Sequence, residues 1–246
     1  MAKSRHYYIR KTHRYLGVIL GVQFLFWTIG GLYFSWSDMD EIHGDHQKAA
    51  VSPLHSDIRV VNPQDIIQKI KQRDSIKYIL DIRLIQILDQ PVYQIIYTGD
   101  KNDDKKIQLA QANTGDLRKA LNKEEAIKVA QKSFYSEAKV SNVEYLINAG
   151  KHHEYRESPL PAFAVKFEHP SNTTVYVSSE LGTVQKFRND KWRIFDFLWM
   201  MHTMDYQGRD NITNWILRAF SIFGMMTIGS GFVLFFVSRK KVKISQ

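Results

Sequence analysis

Two long runs without a charged residue constrain this chain more than any other feature. The first run covers 22 residues, 15–36, and the second covers 20 residues, 219–238. At about 1.5 Å per helical residue, either run can cross a hydrocarbon core of roughly 30 Å. The first run is too long for the apolar part of a secretory signal, and no small-residue cleavage motif follows it. The second ends directly in Arg239-Lys240-Lys241, which argues against a buried core helix. We therefore expect two transmembrane helices.

The basic residues at the two ends predict how these helices are oriented. Residues 1–14 hold five bases and residues 239–246 hold four, in both cases without an acid, and together they account for the formal net charge of +9. The part between them is formally neutral, whereas a nucleic-acid-binding protein carries a clustered basic face on its folded domain. The positive-inside rule places both ends in the cytoplasm. We expect a protein of the bacterial inner membrane whose partner is the lipid bilayer, with its main domain in the periplasm and no nucleic-acid partner.

The residue types present exclude several kinds of active site. The chain has no cysteine, which rules out disulfides, cysteine-ligated zinc, iron–sulfur clusters and thiol nucleophiles. The segment 153–157, His-Glu-Tyr-Arg-Glu, begins like a zinc-protease helix but has Glu157 where the second histidine is required. There is no glycine-rich phosphate loop with a lysine and no dinucleotide fingerprint. A non-enzymatic role is therefore favoured.

The segment between the two runs contains one pattern twice. Asn62-Pro63 and Asn122-Lys123-Glu124-Glu125 are each typical of a helix start. Each predicted helix is followed by strand-like segments and then by a turn glycine, Gly115 or Gly182. The predicted strands cover residues 82–85, 91–97 and 107–110 in the first set, and 143–147, 161–167 and 174–177 in the second. The pattern predicts an internal duplication of one helix-plus-antiparallel-sheet unit.

These units resemble the PepSY domain, in which a helix precedes a hairpin with alternating aromatic and aliphatic residues. The entry into the first run, residues 10–17, resembles the opening of PepSY-associated transmembrane proteins, as do residues 27–34 and 201–206. The resemblance implies a periplasmic α+β region of two PepSY-like units anchored by two transmembrane α-helices. Larger members of this group have four or more spans, and some are linked to iron–siderophore uptake and reduction through membrane haem. This chain departs from them in having two spans.

Two histidines, His13 and His202, are the candidate cofactor-binding and metal-binding residues. His13 comes just before the first run, and His202 lies in an aromatic stretch before the second. We expect about one bilayer, roughly 30 Å, between them, so they cannot ligate one haem b within a chain. A homodimer could pair each histidine with its copy and hold a haem at each membrane face. The alternatives are a headgroup contact for His13 and a polar position on an interfacial amphipathic helix for His202.

The sequence thus predicts eight successive segments. These are a cytoplasmic basic tail (1–14), a transmembrane helix (15–36), a linker (37–54), two PepSY-like units (55–120 and 121–190), an interfacial amphipathic helix (191–210), a second transmembrane helix (211–238) and a second cytoplasmic basic tail (239–246). The glycines of the two predicted transmembrane helices, including Gly17 and Gly21, suit close helix packing. This packing could occur within the chain, in a homodimer or against a larger membrane partner.

Three functions are compatible with this organisation. The leading one is a membrane-anchored periplasmic binding or regulatory module, accessory to iron or siderophore handling. The second is a dimeric haem-b ferric (siderophore) reductase that carries electrons across the inner membrane through His13 and His202. The third, which follows from the PepSY resemblance, is a modulator of a periplasmic peptidase.

Overall fold

The computed structural model describes residues 5–50, 53–99 and 104–239. The chain divides into two compact units. One unit, which we call the helical unit, contains Met1–Ser37 and Arg193–Gln246. The other, Asp38–Trp192, combines helices with antiparallel sheets, and we call it the α/β domain. The predicted basic positions Lys3, Lys240, Lys241 and Lys243 lie outside the described residues.

The α/β domain has the predicted duplicated topology. Its first repeat comprises α3 (Pro63–Lys71), β1 (Tyr78–Ile87), β2 (Gln90–Thr98), β3 (Lys105–Gln111) and β4 (Leu117–Arg118). Its second repeat comprises α4 (Lys123–Ser133), β5 (Val140–Leu146), β6 (Ala162–Phe167), β7 (Thr174–Ser178) and β8 (Val184–Arg188). Each repeat forms its own four-stranded antiparallel sheet, in which the strands are neighbours in the order of the sequence.

Equivalent backbone hydrogen bonds also form around the turn glycine in each of the two repeats. The Gly115 N–H donates to Gln111 O at 2.8 Å, and the Gly182 N–H donates to Ser178 O at 3.0 Å. Both glycines have a positive φ, 71° and 73°, which a residue without a Cβ adopts at little cost. The residue after the third strand in each repeat donates to the carbonyl of the equivalent proline, in the bonds Ala112 N→Pro91 O and Ser179 N→Pro161 O. The duplication is therefore present at the level of single backbone groups.

Both predicted helix starts are confirmed. The Asn62 side chain accepts a hydrogen bond from the Gln64 N–H, and Pro63 is the first helical residue of α3. At α4, Asn122 and Glu125 form a reciprocal capping box. These caps satisfy backbone N–H donors that the first helical turn leaves without partners. The capping residues therefore determine where each helix begins.

Each repeat buries one face of its sheet under its own helix. The eight residues that the periodicity predicts for the core are each at most 8% exposed: Ile66, Ile70, Tyr93 and Ile95 in the first repeat, and Ala126, Ala130, Phe163 and Val165 in the second. The other face of the first sheet contributes Ile87, Val92 and Leu109 to the core around α4. The other face of the second sheet packs against Tyr155 and Leu160 of the segment before β6.

The segment that the sequence predicts as a linker is folded onto the second repeat. It contains α2 (Met39–His43) and a single 3₁₀ turn (Asp45–Gln47). Ile42 is fully buried. The side chain of Gln47 accepts a hydrogen bond from Thr173 Oγ1 and donates one to Ser171 Oγ, at 2.8 and 2.9 Å. Burial of Ile42 and these two hydrogen bonds hold the segment in place. The polar composition of the segment gave no sign that it is folded.

The beginning and the end of the α/β domain lie side by side. The Asn189 side-chain amide donates to the carbonyl of Glu41 at 2.9 Å, and Lys191 forms an ion pair with the Glu41 carboxylate. The Trp192 ring is buried under the Arg188 guanidinium, whose central carbon lies 4.0 Å from the ring centroid. The chain therefore enters and leaves this domain at one place.

The helical unit contains α1 (Arg5–Trp36), most of α5 (Asp190–Thr203) and α6 (Trp215–Arg239). Two segments, Tyr7–Trp36 and Trp215–Phe236, are long and apolar enough to cross a membrane. In each, only 11% of the most apolar window is buried, whereas the core helix of a soluble domain buries most of its apolar side chains. Residues 5–14, the described part of the predicted basic tail, are helical and continuous with the first apolar run.

Candidate functional site

The register between α1 and α6 positions the first candidate histidine. The Phe24 and Phe220 rings are 5.1 Å apart, and a Cβ at Gly231 would lie 3.4 Å from the His13 ring. Eleven residues separate the two contact points on each helix, so α1 and α6 are antiparallel and in contact over about 16 Å. Gly224 also lies against α1, near Phe24, whereas a Cβ at Gly17 or Gly21 would meet nothing within 4 Å. Gly224 and Gly231 of α6 thus serve packing within the chain, whereas Gly229 of α6 and those two α1 glycines do not.

His13 is held by Ser230 of α6. The His13 Nδ1 and Ser230 Oγ atoms are 2.8 Å apart, and the Ser230 hydroxyl is also 2.8 Å from the carbonyl of Thr227. When the Ser230 hydroxyl donates its one proton to that carbonyl, its oxygen is free to accept from the N–H at His13 Nδ1. The neutral imidazole then has its lone pair on Nε2. This is the tautomer that binds a metal through Nε2 while the other ring nitrogen is held by a hydrogen bond.

His202 lies near the end of α5, among aromatic side chains. Its ring stacks on Trp27 of α1, with the centroids 4.7 Å apart and the planes at 21°. Phe34 approaches edge-on, with the centroids 6.0 Å apart. His202 Nδ1 is buried and has no hydrogen-bond partner. A buried polar atom without a partner is rare in a folded protein, and such an atom is a candidate for ligand binding.

Side chains of α1 fix the end of α5. Gln23 Nε2 donates to the Met201 carbonyl at 2.6 Å, and Trp27 Nε1 donates to the His202 carbonyl at 2.9 Å. These bonds satisfy carbonyls that the last helical turn leaves without partners. Neither Gln23 nor Trp27 was identified as a site residue from the sequence, because the pairing of α5 with α1 depends on contacts between residues about 175 positions apart.

A polar turn joins α5 to α6. Asp196 and Arg209 form an ion pair, and the Asp205 carboxylate accepts hydrogen bonds from the N–H groups of Gly208 and Asn211 at 3.0 and 2.9 Å. α5 ends at Thr203 and α6 begins at Trp215, so the helix is interrupted around Gly208. Placement of α5 on the outer leaflet stays a prediction.

The two histidines lie closer together along the membrane normal than their positions in the sequence predict. His202 stacks on Trp27, which is 14 residues from His13 on α1. That spacing corresponds to about 21 Å along the helix, compared with the expected 30 Å. The difference arises because α5 packs beside the middle of α1 and not beyond its end. The separation still prevents one haem from using both imidazoles of a chain.

A second candidate site is an open groove in the α/β domain. Its volume is about 460 Å³, and it lies between the first sheet and the start of α4. Six of its nine lining residues are polar, among them Gln90, Gln111, Arg118, Asn122 and Glu125. Arg118 is paired with Glu125 at 2.6 Å. The volume is in the range of small-molecule sites, which span about 300–1,000 Å³.

The described residues include no group of three or more His, Cys, Asp and Glu side chains that could hold a metal ion. In comparisons with known proteins, no family model, no curated protein and no solved structure matches this chain.

Proposed function

We propose that this chain is a membrane-anchored binding and regulatory module of the PepSY type, accessory to iron or siderophore handling. The α/β domain lies in the periplasm, the two apolar helices span the bacterial inner membrane, and both termini are cytoplasmic. The assignment to iron handling is supported by the resemblance of residues 10–17, 27–34 and 201–206 to PepSY-associated transmembrane proteins, some of which are linked to iron–siderophore uptake.

The observation that carries this proposal is that the two ends of the α/β domain are bonded to each other. Asn189 and Lys191 bond to Glu41, so residues close to the two ends of the domain are held together. The chain continues from this place into α1 in one direction and through α5 towards α6 in the other. Both apolar helices expose most of their large side chains, and such side chains are stable when lipid surrounds them. A folded domain with two adjacent membrane tethers is well suited to hold a ligand or partner at the membrane surface.

The polar groove supports a binding role for the domain. It is formed by both repeats, since Gln90 and Gln111 belong to the first sheet and Asn122 and Glu125 to the second helix start. Siderophores are polar chelators, and a groove lined by amides and by a paired arginine and glutamate offers donors and acceptors for such a ligand.

Growth under iron limitation tests the proposal. A strain lacking this chain is supplied with iron only as a ferric–siderophore complex, and its growth and accumulation of radioactive iron are compared with those of the parent. We expect both to fall and to be restored by the full chain, and also by a chain carrying His13→Ala and His202→Ala. Unchanged growth and iron accumulation in the deletion strain would contradict the iron assignment.

A second candidate function rests on the geometry of the two histidines. His13 has its Nδ1 held by Ser230, and His202 has a buried nitrogen without a partner. Both observations fit imidazoles that serve as axial ligands of haem b in a homodimer. When bound, such a haem would supply one-electron transfer. In this second candidate the protein is a ferric reductase, His13 and His202 hold one haem each with their copies, and Ser230 and Trp27 orient the two rings.

An absorption spectrum of the detergent-purified chain, before and after dithionite, separates the two candidates. The module predicts colourless protein even after haem reconstitution. The reductase predicts a Soret band that shifts on reduction and is weakened by His202→Ala and by His13→Ala, since a six-coordinate haem changes its spectrum when it loses an axial imidazole. A Soret band unaffected by either substitution would contradict the assignment of these two ligands.

A further inference from the structure

The free edge of the first sheet carries an exposed apolar segment. β2 is the only strand paired with β1 in the described part of the chain, so β1 is an edge strand. At its beginning, Tyr78, Ile79, Leu80 and Ile82 are 59%, 41%, 48% and 38% exposed. Natural sheets normally protect such an edge with charged residues, proline or a covering element, because its open backbone groups can pair with another strand.

The second repeat provides an internal reference for this edge. Ile79 and Ile82 lie opposite Tyr97 and Ile95, and the equivalent residues of β5, Val140 and Val143, lie opposite Phe167 and Val165. Both strands have a register shift at the same place, between 79 and 81 and between 140 and 142. The two edges are therefore aligned residue by residue.

The aligned positions differ in chemistry. Tyr78 and Leu80 of β1 correspond to Lys139 and Ser141 of the second repeat. The second edge thus has the charged and polar residues that discourage pairing, whereas the first edge has large apolar residues in their place. Because both edges share one backbone geometry, the exposed side chains on β1 are not a requirement of the fold.

We propose that β1 is a self-association surface, through which two copies of this chain pair antiparallel about a twofold axis at Ile82. The charged residues of β1 indicate that the partner is a second copy of this chain. Asp81 and Arg83 lie opposite Ile96 and Gln94 of β2, on one face of the sheet, and form an ion pair at 2.5 Å. In the twofold arrangement Asp81 of one copy lies opposite Arg83 of the second copy, and the reverse pair follows by symmetry.

The same arrangement places apolar residues opposite one another. Ile82 lies opposite Ile82 of the second copy, and Leu80 lies beside Leu84 of the second copy. Directly opposed residues in an antiparallel pair have their Cβ atoms about 4.5–5.5 Å apart, and opposite charges or apolar side chains there stabilise the pair. The segment from Leu80 to Leu84 is therefore complementary to itself in both charge and hydrophobicity.

Cysteine cross-linking tests this interface in the full chain in native membranes. The chain has no cysteine, so Ile82→Cys introduces a single thiol at the twofold axis, close enough to its copy for a disulfide. Val143→Cys places a thiol at the equivalent position of the second repeat and is the matched control. On mild oxidation we expect a disulfide-linked dimer from Ile82→Cys and monomer from Val143→Cys. Equal cross-linking of both variants, monomer from both, or a cross-link from position 82 to a different protein would overturn the proposal.

Charge exchange in the Ile82→Cys background tests the register. Asp81→Arg and Arg83→Asp each place like charges opposite one another twice per dimer, and we expect each to lower the cross-linked fraction about tenfold. The double variant Asp81→Arg/Arg83→Asp restores both pairs and should restore the cross-link. Since the double variant carries both substitutions, its recovery excludes misfolding as the cause of the loss. A cross-linked fraction that stays constant, or that fails to recover in the double variant, would contradict the proposed register.

Discussion

The two repeats of the α/β domain share a topology but use different chemistry at equivalent positions. Tyr97 of the first repeat donates a hydrogen bond to Asp74 at 3.0 Å, and Lys106 lies 2.6 Å from the same carboxylate. The equivalent residue of the second repeat is Phe167, whose ring lies 4.6 Å from that of Phe134. At this position the first repeat thus has a polar contact near the surface, whereas the second repeat has buried aromatic packing.

Both sheets are covered on both faces, the first by α3 and by the core around α4, the second by α4 and by Tyr155. The repeats differ also at their edge strands. The start of β1 exposes Tyr78, Ile79 and Leu80, whereas the aligned residues of the second repeat are Lys139, Val140 and Ser141. The comparison can be tested at equivalent positions of the two repeats.

The largest effect is expected from the core of the second repeat. Phe163 is 8% exposed, and Phe163→Ala should lower the free energy of unfolding by about 3–5 kcal/mol through lost burial and a cavity. Pulse proteolysis in urea on the detergent-solubilised chain measures this change. Ile147→Ala, at a position that is 78% exposed, is the control and should change stability by less than about 0.5 kcal/mol. A loss that small for Phe163→Ala would show that its side chain is not in the core.

The two turn glycines should differ when each is replaced by alanine. Both substitutions place a Cβ at positive φ, which costs about 1–2 kcal/mol. At Gly182 the new Cβ would lie against Ile87 Cδ1, far inside van der Waals contact, whereas at Gly115 the nearest atom is Val61 Cγ2 at 3.2 Å. Overpacking adds about 1–3 kcal/mol at Gly182. Urea unfolding should therefore rank Gly182→Ala as the more destabilising variant, and the opposite order would contradict the tight contact between the repeats.

The smallest effect concerns pH and the polar contact of the first repeat. The hydrogen bonds from Lys106 and Tyr97 hold the pKa of Asp74 below its ordinary value of 3.8. A carboxyl whose pKa is lower in the folded state stabilises the protein above its unfolded pKa, and this contribution is lost as the pH falls through the folded pKa. Burial and the Asp74 carboxylate also raise the pKa of Tyr97 to about 12, so the phenol stays a donor throughout this range.

Tyr97→Phe tests this contact, because it gives the first repeat the residue that the second repeat already has. We expect the variant to lose less stability than the parent between pH 5 and pH 2, as measured by urea unfolding at each pH. Identical pH profiles for the variant and the parent would show that Tyr97 does not influence the ionisation of Asp74.

The repeats and their cores were predictable because local signals determine them. Asn62-Pro63 and Asn122 with Glu125 fix the helix starts, and the alternation around Tyr93 and Phe163 fixes which strand face is buried. The fold of residues 38–50 was not predictable, since Ile42 and Gln47 are two residues in a polar stretch and the side-chain partners of Gln47 lie more than 120 positions away. The partner of His13 was equally hidden, because Ser230 is one small residue in an apolar run and only the register of α6 brings it to the histidine.

The central claim, that two tethers hold the α/β domain on the outer face of the membrane, is tested most directly by thiol labelling in cells. Single cysteines are introduced into the cysteine-free chain at Glu137, an exposed position of the domain, and at Ser4 and Gln246 near the termini. We expect a membrane-impermeant maleimide to label Glu137→Cys in cells with an intact inner membrane, and to label Ser4→Cys and Gln246→Cys only after that membrane is disrupted. Labelling of the terminal cysteines but not of Glu137→Cys in intact cells, or equal labelling of all three, would contradict the claim.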